Sequence, residues 1–329
     1  MTEVRTAFNI TPASTGELAT IDMDAAFADF LRLRVANGNR SDRTAEAYRQ
    51  RVSYFVAWCD SNGISAGHAT ESDAELYRRH LVDAGYASVT IDGYLQSCRR
   101  FFDALSWRNM RHDNPFAGLK APADATEAKD KVKYLPLDGL RRLLASPDST
   151  TPMGKRDAAI LMLMGKYGLR VIEIERLKIS DLDMSDPAWI MATGKRMKRR
   201  QIFLDSKDVP TLDSWLASRL ARDDHAHLFV ALDRANYGKP LGRRNIRRMV
   251  DKYLDQCGLK NAGVSCHSLR HSAATWALYA SGNERAVQDL LGHTKPETTQ
   301  IYAQVVDRIK SNPVKELNAL LGDHASDNA

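Results

Sequence analysis

From residue 22 to about residue 119 the apolar residues keep helical spacing without a break, and no segment alternates as a strand would. That pattern leaves little freedom: the first third of the chain must bury helix faces against one another. One helix is expected after Ser41 and Asp42, both good N-cap types, running through Tyr48, Val52, Phe55 and Val56 to Asn62-Gly63. A second is expected over 72–83, ending near Gly85, and a third from Ser88 through Tyr94, Leu95, Phe101, Phe102 and Leu105. Asn114-Pro115 closes the set. Residues 120–133 then hold Pro122 and mixed charge with few apolar side chains, which predicts an exposed linker. The division that follows is a loose tail over 1–20, a helical bundle over 21–119, a linker over 120–134 and a second domain over 135–311. A helix and tail over 312–329 complete it.

The second domain is expected to be mixed. Residues 158–166 are apolar on nearly every face, as in a buried helix, and Gly168 supplies a stop. Residues 189–192 and 201–204 read as two short strands flanking a basic turn. Helices are then expected around Leu212, Leu216 and Leu220, over 243–257, 267–279, 284–291 and 296–306. Val314, Leu317, Leu320 and Leu321 share one face of a last helix. The fold class is therefore mainly α with a small β-hairpin or sheet.

A chain of 329 residues has room for two such domains. The 47 basic residues against 41 acidic ones give a net charge of +6, compatible with a polyanionic partner but no proof of one. Four cysteines (Cys59, Cys98, Cys257, Cys266) form no C-x-x-C pair, which argues against a zinc site and a disulfide framework and fits a reducing compartment. No apolar run has the length of a membrane span, and no basic segment followed by an apolar one opens the chain. A cytoplasmic protein that engages no membrane is the expectation.

Charge distribution says more than the total. Lys195, Arg196, Lys198, Arg199 and Arg200 crowd the turn between the two strands. A solvated surface turn would explain such density, but a hairpin is also stiff enough to hold one lysine at a fixed point for proton donation. Arg243, Arg244, Arg247 and Arg248 form a stripe opposite Ile246, Val250, Tyr253 and Leu254. With no acid among them they repel one another, and a phosphate backbone would relieve that. His267 and Arg270 share a helix face, with His271 one step round, and arginine offers a planar fork to phosphate oxygens. His293 follows Gly292 at a helix end, and Tyr302 lies nine residues on. Taken alone, a histidine here is more often a satisfied core residue, and a tyrosine a packing residue.

Taken together, the blocks G-L-R-V-I-E (168–173), the basic turn, H-S-L-R-H (267–271), L-L-G-H (290–293) and Tyr302 form an ordered set. That set resembles the catalytic domain of the tyrosine recombinases, also called the phage integrase family. The resemblance spans about 135–306, and the preceding bundle resembles that family's core-binding domain. It implies a site-specific DNA recombinase, acting in integration, excision or resolution, of the two-domain type that uses only core sites. Arg170 and Arg270 would be the paired catalytic arginines, Lys195 the hairpin lysine, His267 the first histidine, His293 the second and Tyr302 the nucleophile. Glu173 matches the acidic position and would orient the cluster. Lys198 lies three residues from Lys195, so the proton donor is open between them.

The chemistry that follows is metal- and ATP-independent. Arg170, Arg270 and His293 would bind the non-bridging oxygens, where one preorganised donor is typically worth about 3–4 kcal/mol of barrier. A phenol with a reference pKa of about 10 needs its proton removed, and His267 is the expected acceptor. Lys195 would protonate the leaving 5′ oxygen, giving a 3′-phosphotyrosine. No P-loop and no metal-ligand cluster is seen, so no cofactor is expected. The partners would be double-stranded DNA and further copies in a synaptic tetramer. The two domains could close round the duplex as a clamp. Arg43, Tyr48, Arg49, Arg99 and Arg100 are DNA-contact candidates in the bundle; Lys198, Arg199 and Arg200, with the arginines of 243–248, are candidates in the second domain. The alternatives are a type IB topoisomerase-like relaxing enzyme and a catalytically idle DNA-binding regulator.

Overall fold

The structure is a computed structural model that describes residues 23–35, 42–124, 126–127, 129–194, 197–219, 226–293, 296–311, 314 and 317–318. It divides into two compact units, Met1–Ala125 and Thr126–Ala329.

The first unit packs four helices: α1 (Met23–Leu33), α2 (Asp42–Ser61), α3 (Glu71–Asp83) and α4 (Ser88–Trp107). A Thr70–Asp73 capping box opens α3 by answering two otherwise orphaned backbone donors. The core is strongly aromatic: Phe55, Tyr77, Phe102 and Phe116 are fully buried and meet largely edge to face. Arg99 is used internally. Its guanidinium donates to the carbonyls of Phe116 and Leu119 at 3.0 and 2.8 Å, tying down the segment after α4.

The segment expected as an exposed linker is exposed at residues 120, 122–124, 126–127, 130–131 and 133, and the boundary between the units falls within it. Leu119 and Ala121 pack on the first unit's core, and Ser88 Oγ donates to the Pro122 carbonyl. Farther on, Val132 packs in the second unit and Asp130 pairs with Arg308 at 2.7 Å. Single side chains and backbone carbonyls anchor its ends. The tail over 1–20, Leu220, Lys195, Arg196, Leu320 and Leu321 lie outside the described residues.

In the second unit Leu135 is held at both ends of its peptide: its N–H donates to Ser272 Oγ and its carbonyl accepts from the Trp276 indole. Then come α5 (Leu137–Ala145), α6 (Pro152–Gly165) and α7 (Val171–Arg176). The sheet has three antiparallel strands in the order β1 (Leu182–Asp183), β2 (Trp189–Thr193), β3 (Arg199–Phe203). The two-residue β1 was too short to leave an alternation in the sequence. The rest is α8 (Val209–Ser218), α9 (Arg243–Gln256), α10 (Cys266–Ser281), α11 (Glu284–Leu291) and α12 (Glu297–Lys310). Helix α6 is buried nearly all round, as its composition predicts, and packs against α5, α8 and α10. A smaller cluster of Ala274, Leu278, Val287, Leu291, Tyr302 and Val306 binds α10, α11 and α12 together. Val314 and Leu317 of the C-terminal apolar stripe are exposed. Among the described residues no helix is long and apolar enough to cross a membrane.

Candidate active site

The site is assembled from five stretches of the second unit, and a buried carboxylate organises the first two. Glu173, fully buried near the start of α7, accepts the Arg170 N–H at 2.8 Å and Arg170 Nη1 at 3.1 Å. From β3, Arg200 reaches the same carboxylate through Nη1 at 2.7 Å and Nη2 at 3.0 Å. Burial pushes the Glu173 carboxyl up, but the Arg200 and Arg170 hydrogen bonds and charges together outweigh it and hold it below its usual value. Arg200 also donates Nε to the Leu290 carbonyl at 2.9 Å, which ties the sheet to the end of α11. The sequence offered Arg200 as a DNA contact; the structure shows it largely buried and committed to this bridge.

Arg270 is the second anchor. It is 2% exposed, and its fork grips the carbonyls of Gly168 at 2.5 Å and Leu291 at 2.7 Å. Gly168 has φ +66°, and a Cβ there would come within 2.5 Å of the Leu291 side chain. Only glycine lets the chain deliver that carbonyl and turn into Arg170. Burial, then the charge of Arg170, pushes the Arg270 guanidinium down to about 9, so it stays charged at neutral pH. Arg170 and Arg200 bond the one carboxylate while Arg270 feels it only through its charge, and the surplus positive charge is a demand for an anion.

The imidazoles and the phenol lie alongside. Tyr302, on α12, is 4% exposed, and its ring stacks on His293 with centroids 6.2 Å apart. His293 follows Gly292, the left-handed cap of α11 at φ +66°, and its Nδ1 meets Thr299 Oγ1 at 3.0 Å. The imidazole on the phenolic oxygen is His271, with Nδ1 at 2.9 Å from Tyr302 Oη. His267, the expected acceptor, instead stands edge-on to His271 with ring centroids 4.5 Å apart. Burial lowers all three histidines, helped for His267 and His293 by Arg270 and Arg170, and for His271 by His267 and Arg270. His271 and His293 fall to about 4, so both are neutral at pH 7. Burial raises the Tyr302 phenol, while Arg270 and then Arg170 pull it back in part. Sequence reasoning gave His271 no role. The available signal was its four-residue step from His267, which puts the two rings on one helix face.

Residues 133–308 match the family model for the phage integrase family, and 27–109 match its N-terminal SAM-like domain. The chain belongs to the phage integrase family of tyrosine recombinases. It is 31% identical over 283 residues to tyrosine recombinase XerC of Pelotomaculum thermopropionicum, covering 83% of this chain and 91% of that one. It is 31% identical over 288 residues to tyrosine recombinase XerD of Listeria monocytogenes, covering 86% and 95%. Its fold resembles that of XerH site-specific recombinase in a post-cleavage complex with palindromic difH substrate, with a TM-score of 0.70 at 18% identity over 88% of this chain and 83% of that one.

The other sequence candidates of this recombinase fall into place as follows. Gly194, which precedes Lys195, lies against the site: a Cβ on it would stand 3.1 Å from Glu173 Oε1. Lys195 itself is outside the described residues. Lys198 is exposed, and Arg199 is exposed beside Asp181 at 3.3 Å. On α9, Arg243 pairs with Glu175 at 2.8 Å, while Arg244, Arg247 and Arg248 are exposed. In the first unit Arg43 is exposed, Arg49 pairs with Glu46, Arg100 pairs with Asp103, and Tyr48 packs on the core. Arg99 is held by two carbonyls through Nε and Nη2. Among the described residues no group of three or more His, Cys, Asp or Glu could hold a metal ion.

Proposed function

We propose that this recombinase binds double-stranded DNA and cuts one strand through Tyr302, forming a 3′-phosphotyrosine that a second 5′-hydroxyl reverses. The supporting observation is the gathering of one phenol, two committed arginines and three imidazoles from residues 168–173, 267–271, 290–293 and 302. A phosphodiester gains negative charge on its non-bridging oxygens as it becomes pentacoordinate. Arg170 and Arg270 would meet those oxygens, with Glu173 and the Gly168 and Leu291 carbonyls fixing the guanidinium planes. With Thr299 on Nδ1, His293 has Nε2 left to donate to the same oxygens. Lys195 would protonate the leaving 5′ oxygen, and exposed Arg244, Arg247 and Arg248 would track the backbone. Recombination joins strands from two duplexes, so several active sites must meet on paired sites. A tetramer of this chain is the simplest assembly that supplies them.

The test is incubation with nicked suicide substrates drawn from the flanking genomic DNA. Wild type should yield a covalent protein–DNA adduct and Tyr302→Phe none. An adduct of equal yield from both would remove the nucleophile from position 302. Sequence-independent relaxation of supercoiled plasmid would move the reading to a topoisomerase.

A further inference from the structure

The phenolic oxygen of Tyr302 and Nδ1 of His271 are 2.9 Å apart, and the two residues come from helices α10 and α12, 31 positions apart in sequence. We propose that His271 is a catalytic residue: its Nδ1 takes the Tyr302 proton as the phenolic oxygen attacks phosphorus. The inference rests on Tyr302 being the nucleophile.

With its proton on Nε2, a neutral His271 accepts from the Tyr302 hydroxyl through Nδ1. His271 is pushed down to about 4 by burial and by the neighbouring His267 and Arg270, so at neutral pH the ring is uncharged and has a lone pair to accept with. Tyr302 is raised by burial, so it is a phenol and donates. The groups that face His271 are His267 and Arg270 on its own helix, Tyr302 on α12 and His293 beyond α11. His293 is occupied by Thr299, and His267 touches the phenol only through His271. His271 is therefore the base already in place.

A base this weak cannot deprotonate a resting phenol, and it need not. As the oxygen bonds to phosphorus its affinity for the proton collapses, from that of a phenol to far below that of imidazole. Transfer becomes downhill during the attack, which is the condition for concerted general-base catalysis. The step balances. The Oη–P bond forms, the Oη–H pair stays on oxygen and the proton moves to Nδ1. The P–O5′ bond breaks with its electron pair on O5′, which is protonated by the general acid. In the rejoining step the imidazolium returns its proton to Oη. The imidazolium also adds positive charge where the phosphorane oxygens carry most negative charge.

His271→Asn separates basicity from hydrogen bonding, because its Oδ1 can occupy the place of Nδ1 and still accept from Tyr302. On the nicked substrate the Asn variant should bind DNA as wild type does. Its single-turnover adduct formation should be slower by about 10²–10⁴-fold. Wild-type rates should be level from about pH 6 to about pH 8, while the variant's should rise with hydroxide toward the phenol's own ionisation. An Asn variant with the wild-type rate and pH profile overturns the proposal and leaves Tyr302 as nucleophile. A wild-type chain that forms no Tyr302-dependent adduct overturns both. Should His271→Asn fail to fold, wild type is measured in H2O and D2O on a substrate with a 5′-bridging sulfur, whose leaving group needs no proton. A slower rate in D2O supports transfer to His271, and equal rates overturn it.

Discussion

Replacing Glu173 with Gln changes one atom of a side chain that no solvent reaches, and the consequence can be worked from its partners. The carboxylate accepts four N–H bonds: one from the Arg170 backbone, one from Arg170 Nη1 and two from Arg200. A glutamine amide has one oxygen and two lone pairs, so at most two of those bonds survive. Its NH2 group must then face guanidinium donors. Two lost charge-assisted bonds at about 1.5–3 kcal/mol each set the scale. Stranding Arg200, whose side chain is 13% exposed, independently predicts about 3–5 kcal/mol. Both routes agree, so the folded second unit should lose about 3–5 kcal/mol at pH 7.

Hydrogen exchange of α7 and β3 amides in the full chain, read against denaturant, would measure this loss where it occurs. Glu175→Gln is the matched control. Its pair with Arg243 is partly exposed, with side chains 26% and 39% accessible, so less than about 1 kcal/mol is expected. The pH dependence carries a sign. Glu173 is held below its usual pKa, so its stabilisation is present above the unfolded value of about 4.3 and is lost as pH falls through the lower folded value. The gap between wild type and Glu173→Gln should therefore be constant near neutrality and narrow only in acid. A Gln variant within about 1 kcal/mol of wild type at pH 7 would refute the idea that this carboxylate holds the arginines together.

Two further perturbations separate scaffold from DNA contact. Gly292→Ala forces a side chain into φ +66° and brings its Cβ within 2.8 Å of Arg200 Cδ, so a loss of at least about 1–3 kcal/mol in denaturation is expected, together with slower adduct formation as His293 shifts. Changing Arg244, Arg247 and Arg248 together to Ala removes three exposed charges from α9; the slope of log affinity against log salt should fall by about 0.9 for each phosphate no longer neutralised, and an unchanged slope would take α9 off the DNA.

What the sequence made legible is what periodicity and punctuation encode. The helix over 284–291 is found at those limits, and α9 is buried through Ile246, Val250, Tyr253 and Leu254 as the stripe requires. Side-chain commitments are different, because they depend on which carbonyl or carboxylate the fold carries within reach. Arg99, Arg200 and Arg244 are indistinguishable as letters beside other basic residues. One is spent on the Phe116 and Leu119 carbonyls, one on Glu173, and one is exposed to solvent. The same blindness covers the ring that meets Tyr302. His267 and His271 sit one helical turn apart, and only the approach of α12 to α10 decides which ring the phenol meets. That approach is set by Ala274, Leu278 and Val306, small and branched apolar residues whose packing brings the two helices together. Which ring meets the phenol is thus decided by the hydrophobic contacts of the helices. Widening the α10–α12 seam should therefore break the Tyr302–His271 bond before it touches a single charged group.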